Sequence, residues 1–87
     1  MSTLEVESKT TYYFYGSKLR AARREAGLGQ QQLAARLTIA GCPRPISHEE
    51  WSQQTISYLE KTTIPHLITP EQIRAFNRAL DPADDLG

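Results

Sequence analysis

Apolar residues recur every three or four positions through most of the chain, which is the spacing that places side chains on one face of a helix. The first of these stripes is formed by Tyr15, Leu19, Ala22 and Ala26. It predicts a first helix that ends at Gly27, because glycine readily adopts the left-handed conformation that closes a helix.

A second helix is predicted to begin at Gln30, with Gly29 as its N-cap. Its apolar positions are Leu33, Ala34 and Leu37. Either the Ala40–Gly41 step or the Cys42–Pro43 step ends it, since a proline disfavours helical conformation in the residue before it.

The connector over residues 38–51 is long, and the sequence leaves open where the third helix begins. Ser47 and Glu50 have the spacing of a capping box, so the helix could begin at residue 47 and run on without a break. Alternatively, residues 47–51 form a single turn that breaks before Ser52, and the helix begins there. In both cases it ends near Lys61.

The fourth helix has the clearest start signal, with threonine, proline and glutamine at the N-cap, N1 and N3 positions, namely Thr69, Pro70 and Gln72. One face of this helix carries Ile73, Phe76, Ala79 and Leu80. The Asp81–Pro82 step closes it.

Four adjacent aromatic residues occupy positions 12–15. They are interpreted as the first turn of the first helix, with a short strand or an arm that packs on a partner as alternatives. No useful period-two strand pattern is present, so the predicted fold is all-α, a small bundle of four to five helices. Residues 12–81 would form the domain, residues 1–11 a flexible N-terminal segment and residues 82–87 a short acidic tail.

Length and composition allow one small globular domain, with 87 residues of which 39% are apolar. No apolar run approaches the ~18–20 residues of a membrane span, and no signal peptide opens the chain. The single cysteine, Cys42, cannot form an internal disulfide, which predicts a reducing cytoplasmic location.

The net charge of the chain is zero, but its basic and acidic residues are unevenly distributed along the sequence. Residues 16–44 carry six basic side chains against Glu25 alone, whereas residues 45–87 carry three basic and seven acidic side chains. Such asymmetry can mark an anionic partner, and simple solubility of the helices is the alternative.

Gln53 and Gln54 are the most informative polar residues, because they lie at the predicted open end of a short helix. A glutamine amide carries a donor and an acceptor side by side, matching the edge that adenine shows in the major groove of DNA. The pair therefore predicts a base-reading surface, with a solvated polar face of the helix as the alternative.

Other chemistry is not indicated by the sequence. His48 and His66 are eighteen positions apart, with no second pair of ligands at metal spacing. Cys42 and His48 lack a third orienting group, and no phosphate loop or dinucleotide motif is present. We therefore expect no enzyme activity, no metal and no cofactor.

Residues 16–60 taken together resemble the helix-turn-helix domain of the phage repressor and Cro (XRE-like) family. The matching segments are 19–23, 27–30, 33–37 and 55–60, followed by 76–80 in the last helix. Residues 52–56, with the sequence Ser-Gln-Gln-Thr-Ile, are especially similar to the recognition helix of some lambdoid phage repressors.

The resemblance implies a sequence-specific DNA-binding transcription regulator, a repressor that binds a near-palindromic operator as a homodimer. Gln53 and Gln54 would read bases in double-stranded DNA, and Arg23 and Glu60 would form a structural ion pair. The expected phosphate contacts are Gln30, Arg36, Arg44, Thr55, Ser57 and Lys61. Gln30 could also brace Gln53.

The dimer contact is expected in the C-terminal helix and the segment after it, at Phe76, Leu80 and Leu86, with the aromatic run 12–15 as the alternative. A second hypothesis is a protein-interaction module on the same scaffold, such as an antitoxin or an anti-activator. The long connector and the short C-terminal segment both depart from the family pattern.

Overall fold

The computed structural model of the protein describes residues 3–8, 11–44 and 50–81. Four α-helices are present in this part of the chain. They are α1 (Gly16–Glu25), α2 (Gln30–Ile39), α3 (Gln53–Lys61) and α4 (Pro70–Leu80). Three short strands accompany them, β1 (Glu7–Ser8), β2 (Tyr12–Phe14) and β3 (His66–Leu67).

The strands form one antiparallel sheet in the order β1-β2-β3, so the fold is mostly helical rather than all-α. Tyr13 pairs with Glu7 on one side and with Leu67 on the other. The prediction missed the sheet because strands of two or three residues are too short to show alternation in the sequence.

The aromatic run 12–15 does not form the first turn of the first helix, because its first three residues form β2 and Tyr15 is the N-cap of α1. Tyr12 is exposed, Tyr13 is half-buried and Phe14 is buried, so burial increases along the strand toward the first helix. The helix begins only at Gly16, which packs against the backbone of α3 near Leu59. The favoured helical interpretation was therefore wrong, and the short-strand alternative is correct.

Residues 3–8 of the N-terminal segment lie against the domain. Leu4 is buried, and its N–H donates to Oδ1 of Asn77 at 3.1 Å. Glu5 meets Lys18 at 2.9 Å, and Glu7–Ser8 pairs with β2. One leucine in an otherwise polar segment is too weak a sequence signal to predict that the segment packs on the domain.

Helix ends follow the local chemistry of the sequence. Gly27 and Gly41 have φ values of 74° and 71°, the left-handed conformation that closes a helix. The N–H of Gly29 donates to Oε1 of Gln32 at 2.7 Å at the start of α2. Thr69 and Gln72 cap α4 reciprocally, as predicted.

The third helix begins at Gln53, with Ser52 as its N-cap. Trp51 lies before the helix and is buried, so the alternative in which the chain breaks before Ser52 is correct. The predicted capping box at Ser47 and the position of His48 lie outside the described residues.

Side chains from every helix and from the sheet meet in one core. Its largest fully buried members are Phe76, Leu19, Leu33, Leu37, Ile56, Leu80 and Thr55. Trp51 packs edge-to-face on Phe76 at 5.3 Å between ring centroids, and its indole N–H donates to the carbonyl of Cys42 at 3.2 Å.

Two residues predicted to form a dimer contact belong to this core. Phe76 is 1% exposed and Leu80 is 0% exposed, so neither reaches the surface. The prediction was wrong because the apolar face of α4 is buried inside the domain, where α4 packs against α2. Leu86, the third predicted contact, lies outside the described residues.

Candidate nucleic-acid interface

The two glutamines singled out in the sequence are both exposed on the first turn of α3. Two shallow hollows flank them. One hollow lies toward α2 and is also lined by Gln31 and Ala35. The other lies along α3 and is also lined by Gln30, Ser57, Tyr58 and Lys61. The amides of Gln53 and Gln54 therefore lie between the start of α2 and the outer face of α3.

The open end of α3 is fixed by hydrogen bonds below these glutamines. Ser52 Oγ accepts from the N–H of Thr55 at 3.3 Å, which caps the helix. The hydroxyl of Thr55 donates to the carbonyl of Glu50 at 2.8 Å. These bonds anchor the chain just before the two exposed amides.

Thr55 cannot make the phosphate contact that was expected of it. Its side chain is 1% exposed, and its hydroxyl is committed to the Glu50 carbonyl. The position follows from the helical repeat, because residues 55, 56 and 59 form the face of α3 that packs into the domain. Thr55 acts as a structural residue.

The other end of α3 is held by a buried carboxylate. Oε2 of Glu60 accepts from Nε of Arg23 at 2.7 Å, and Oε1 accepts from the terminal nitrogen of Arg23 at 3.0 Å. Arg20 and Gln30 each reach Oε1 at 3.3 Å. The side chain of Glu60 is 0% exposed, so this one group connects α1, α2 and α3.

The charges in this cluster stabilise each other. Burial by itself raises the pKa of Glu60, but the hydrogen bonds from Arg23, Gln30 and Arg20 outweigh it and hold that pKa below its ordinary value. The bond to Glu60 raises the pKa of Arg23, against the opposing effect of burial. Both groups are therefore charged at neutral pH.

Gln30 lies where a contact with DNA or with Gln53 was expected, but its amide nitrogen donates to Glu60. Its side chain also lines the same hollow as Gln53 and Gln54. The bond to Glu60 fixes which way the amide points, because Glu60 can only accept. Gln30 therefore links the buried carboxylate to the exposed glutamine surface.

Two of the expected phosphate contacts lie away from this surface. Nε of Arg36 donates to the carbonyl of Ala79 at 2.6 Å, and its terminal nitrogen donates to the carbonyl of Asp81 at 3.0 Å. Arg36 thus binds the C-terminal end of α4, where the helix dipole favours a cation. Arg44 is exposed, but it lies beside Tyr12 and the sheet.

The structure thus brings together five of the residues selected from the sequence, Gln30, Gln53, Gln54, Ser57 and Lys61. Two further residues of the surface were missed, Gln31 and Tyr58. Tyr58 is 40% exposed and follows Gln54 by four positions, so helical spacing could have found it. Gln31 directly follows Gln30 at the start of α2.

Residues 15–86 match the family described as helix-turn-helix domain. The chain belongs to this family. No curated protein and no solved structure matches the chain.

In this helix-turn-helix domain, α2 and α3 pack directly against each other, with the exposed glutamines at the start of α3. Membership of the family makes DNA the expected partner, and the family is typically not enzymatic. None of the described helices is long and apolar enough to span a membrane. Within the described ranges, no group of histidine, cysteine or acidic residues is arranged to hold a metal ion.

Proposed function

We propose that this helix-turn-helix domain is a transcription regulator of the phage repressor and Cro type, which reads a specific DNA sequence with Gln53 and Gln54. The observation that carries the proposal is the exposure of both amides at the capped start of α3. The major groove of DNA is wide enough to admit a helix. An α3 helix inserted by its N-terminal end would present these amides to base edges first.

The chemistry of the surface favours adenine as the base that is read. Each amide offers a donor and an acceptor in one plane, which is the complement of adenine N6 and N7. Ser57 and Lys61 lie one and two turns further along α3, beside the same hollow. In this proposal they would contact the DNA backbone. Base contacts would then give specificity, while the backbone contacts fix the orientation.

The basic residues of segment 16–44 are expected to contribute less to DNA binding than the net charge of that segment implies. Arg23 is committed to Glu60 and Arg36 to carbonyl groups of α4, while Arg20 also reaches Glu60. Few cations remain to neutralise phosphates on the surface that carries Gln53. We therefore expect weak binding to random DNA and a shallow dependence of affinity on salt.

A homodimer that acts as a repressor completes the proposal. One small reading surface gives limited specificity, and two copies bound to half-sites about one helical turn apart extend the sequence that is read. A near-palindromic operator is the expected target. The alternative function, a protein-interaction module on the same scaffold, predicts no preference among DNA sequences.

A gel-shift experiment tests the proposal. DNA fragments that flank the protein's own gene would be compared with random DNA of equal length, at two salt concentrations. The expected result is a fragment that binds at least about a thousandfold more tightly than random DNA, as specific regulators do. Equal binding to every fragment, or no binding at low salt, would overturn the DNA-reading function and leave the interaction module.

A further inference from the structure

Five aromatic rings form one continuous cluster where β2, β3, α3 and α4 meet. Trp51 contacts Phe76 at 5.3 Å between ring centroids, and Phe76 contacts Phe14 at 6.0 Å. Phe14 contacts His66 at 5.5 Å, and His66 contacts Tyr58 at 6.1 Å. We call these five side chains the ring cluster. The fold thus assembles one aromatic surface from segments that are far apart in the sequence.

All five rings line the same cavity, which has a volume of about 230 Å³. Buried residues such as Phe14, Trp51 and Phe76 form its inner wall, whereas exposed residues such as Tyr58 and Pro65 form its rim. Unfilled space of this size is uncommon in a small domain, because protein interiors are packed as densely as organic crystals. The ring cluster therefore borders a space that the side chains around it leave open.

Polar groups in the wall of this cavity are already paired within the protein. The indole N–H of Trp51 donates to the carbonyl of Cys42 at 3.2 Å. The amide nitrogen of Gln72 donates to the carbonyl of Pro43 at 3.0 Å, and its oxygen accepts from the N–H of Thr69 at 3.0 Å. The cavity therefore favours a molecule that does not depend on hydrogen bonds to these groups.

The electrostatics of the cavity favour a neutral occupant. None of the described residues that line it is a lysine, arginine, aspartate or glutamate. His66 lines it with a ring whose Nε2 is hydrogen-bonded to Oγ1 of Thr62, and burial lowers the pKa of this histidine, so the ring is neutral at neutral pH. An ion would have to leave water without meeting an opposite charge, which is unfavourable.

We propose that this cavity is a binding site for a small neutral molecule that carries one aromatic ring. A dry apolar cavity of about 150 Å³ is known to hold benzene, so 230 Å³ accommodates a ring with one or two small substituents. The ring of the ligand extends the contacts that the ring cluster already makes among its own members, at separations that aromatic pairs prefer. Shape, charge and the aromatic lining thus select the same class of ligand.

The ligand would lie directly against α3. Tyr58 and Leu59 of this helix line the cavity, and Tyr58 also lines the hollow beside Gln53 and Gln54. One side chain is therefore shared by the ligand site and by the surface proposed to read DNA. Ligand binding itself does not depend on that function, so it can be measured without DNA.

Tryptophan fluorescence of the full chain tests the site. The chain has a single tryptophan, and Trp51 lines the cavity, so its emission reports on an occupant directly. Toluene is the probe, with excitation at the red edge of the tryptophan band, where toluene does not absorb. The expected result is a saturable change in emission with a dissociation constant below about 1 mM. Benzoate and tetramethylammonium, which carry a charge, should each bind at least about tenfold more weakly.

Two variants test whether the signal comes from this cavity. Ile68→Phe enlarges a buried side chain of the wall and should abolish toluene binding. Tyr58→Ala removes an exposed ring of the cluster and should raise the dissociation constant by about tenfold. Tyr12→Ala is the matched control, because Tyr12 is 43% exposed and Tyr58 is 40% exposed, but Tyr12 does not line the cavity. Circular dichroism checks that each variant is folded, and Tyr58→Ala decides the matter if Ile68→Phe does not fold.

The outcomes separate this inference from the proposed function. A titration with no saturable change up to the solubility of toluene would overturn the site, as would equal affinities in the wild type and Tyr58→Ala. Tighter binding of benzoate or tetramethylammonium than of toluene would overturn the class of ligand. None of these results bears on DNA, so the DNA-reading function would stand or fall by the gel shift alone. Toluene binding that Tyr58→Ala weakens and Tyr12→Ala preserves supports the site, whether or not any DNA fragment is preferred.

Discussion

Arg23 and Glu60 form a two-pronged ion pair, with Nε and a terminal nitrogen of the arginine 2.7 and 3.0 Å from the two carboxylate oxygens. Arg23 also donates to the carbonyl of Leu28 at 2.9 Å, so it binds the turn between α1 and α2 as well as the end of α3. The side chains are 11% and 0% exposed. The pair holds α3 against the two helices that precede it in the chain.

We predict that Arg23→Met lowers the free energy of unfolding by about 3 kcal/mol, because the Glu60 carboxylate stays buried and loses its strongest partner. Arg24→Met is the matched control. Arg24 is exposed on the same helix, and its loss should change the free energy by less than about 0.5 kcal/mol. Denaturant unfolding measures both values. Equal, small effects for the two variants would contradict the structural role.

The order of the helices and their caps was predictable because each is set by a local signal. Gly27, Gly41 and the Thr69–Gln72 box act within a few residues of themselves. The sheet was not predictable, since β2 pairs with a strand more than fifty positions away and both are very short. Local patterns do not encode such a contact.

In the candidate site, too, the features set by local sequence were predictable and those set by the tertiary fold were not. Exposure of Gln53 and Gln54 followed from their place at the start of a capped helix. The positions of Arg36 and Arg44 did not, because they depend on which carbonyl groups and which strand the fold brings beside them. Phe76 and Leu80 show the same limit, since an apolar stripe does not reveal whether it packs inside the domain or on a partner.

A second prediction concerns Gly16, which packs against the backbone at the end of α3. A β-carbon at this position would lie 2.1 Å from the carbonyl oxygen of Leu59, too close for any side chain. Gly16→Ala should therefore push α1 away from α3 and lower the free energy of unfolding by about 1–3 kcal/mol. Ser17→Ala, at the exposed neighbouring position, is the control. A neutral effect of Gly16→Ala in thermal unfolding would refute the close approach.

A third prediction concerns pH. Burial lowers the pKa of His66, although a hydrogen bond with the backbone of Leu59 opposes the shift. The unfolded chain, with an ordinary histidine pKa of about 6.5, then binds a proton more readily than the folded protein does. His66 therefore contributes stability that is complete above that pH and is lost as the pH falls through the lowered pKa.

The measurement is the free energy of unfolding between about pH 7.5 and 5.5, the window in which histidine side chains ordinarily titrate. Wild-type stability should fall across this window, and the slope should disappear in His66→Gln. The variant is also expected to be less stable throughout, since His66 packs against Phe14 and Tyr58. A slope that survives the substitution would show that another group is responsible.

A fourth prediction separates structural cations from those that meet DNA. Arg36→Ala should lower stability, because the carbonyls of Ala79 and Asp81 lose a charged donor, but it should leave the salt dependence of DNA binding unchanged. Lys61→Ala should do the opposite, reducing the slope of log affinity against log salt by about one. Arg74→Ala, a charge loss on the exposed face of α4, is the control for both. If Arg36→Ala also reduced the slope of log affinity against log salt, Arg36 would have to contact DNA.

The last prediction tests the reading surface itself. On the preferred DNA fragment, Gln53→Ala should weaken binding by about 1–3 kcal/mol, because a two-point contact with one base is lost. Binding to random DNA should hardly change, since that binding depends on phosphates. Gln53 is exposed, so the unfolding free energy should stay within about 0.5 kcal/mol of the wild-type value.

Gln32→Ala is a useful control for this variant. Gln32 is also an exposed glutamine near the start of a helix, but its amide oxygen caps the N–H of Gly29. Its loss should therefore reduce stability slightly and leave the preference for one fragment over another intact. If Gln53→Ala weakens specific and random DNA equally, the glutamine pair is not reading bases. Specificity would then have to come from another part of the surface, and the role proposed for the start of α3 would fail.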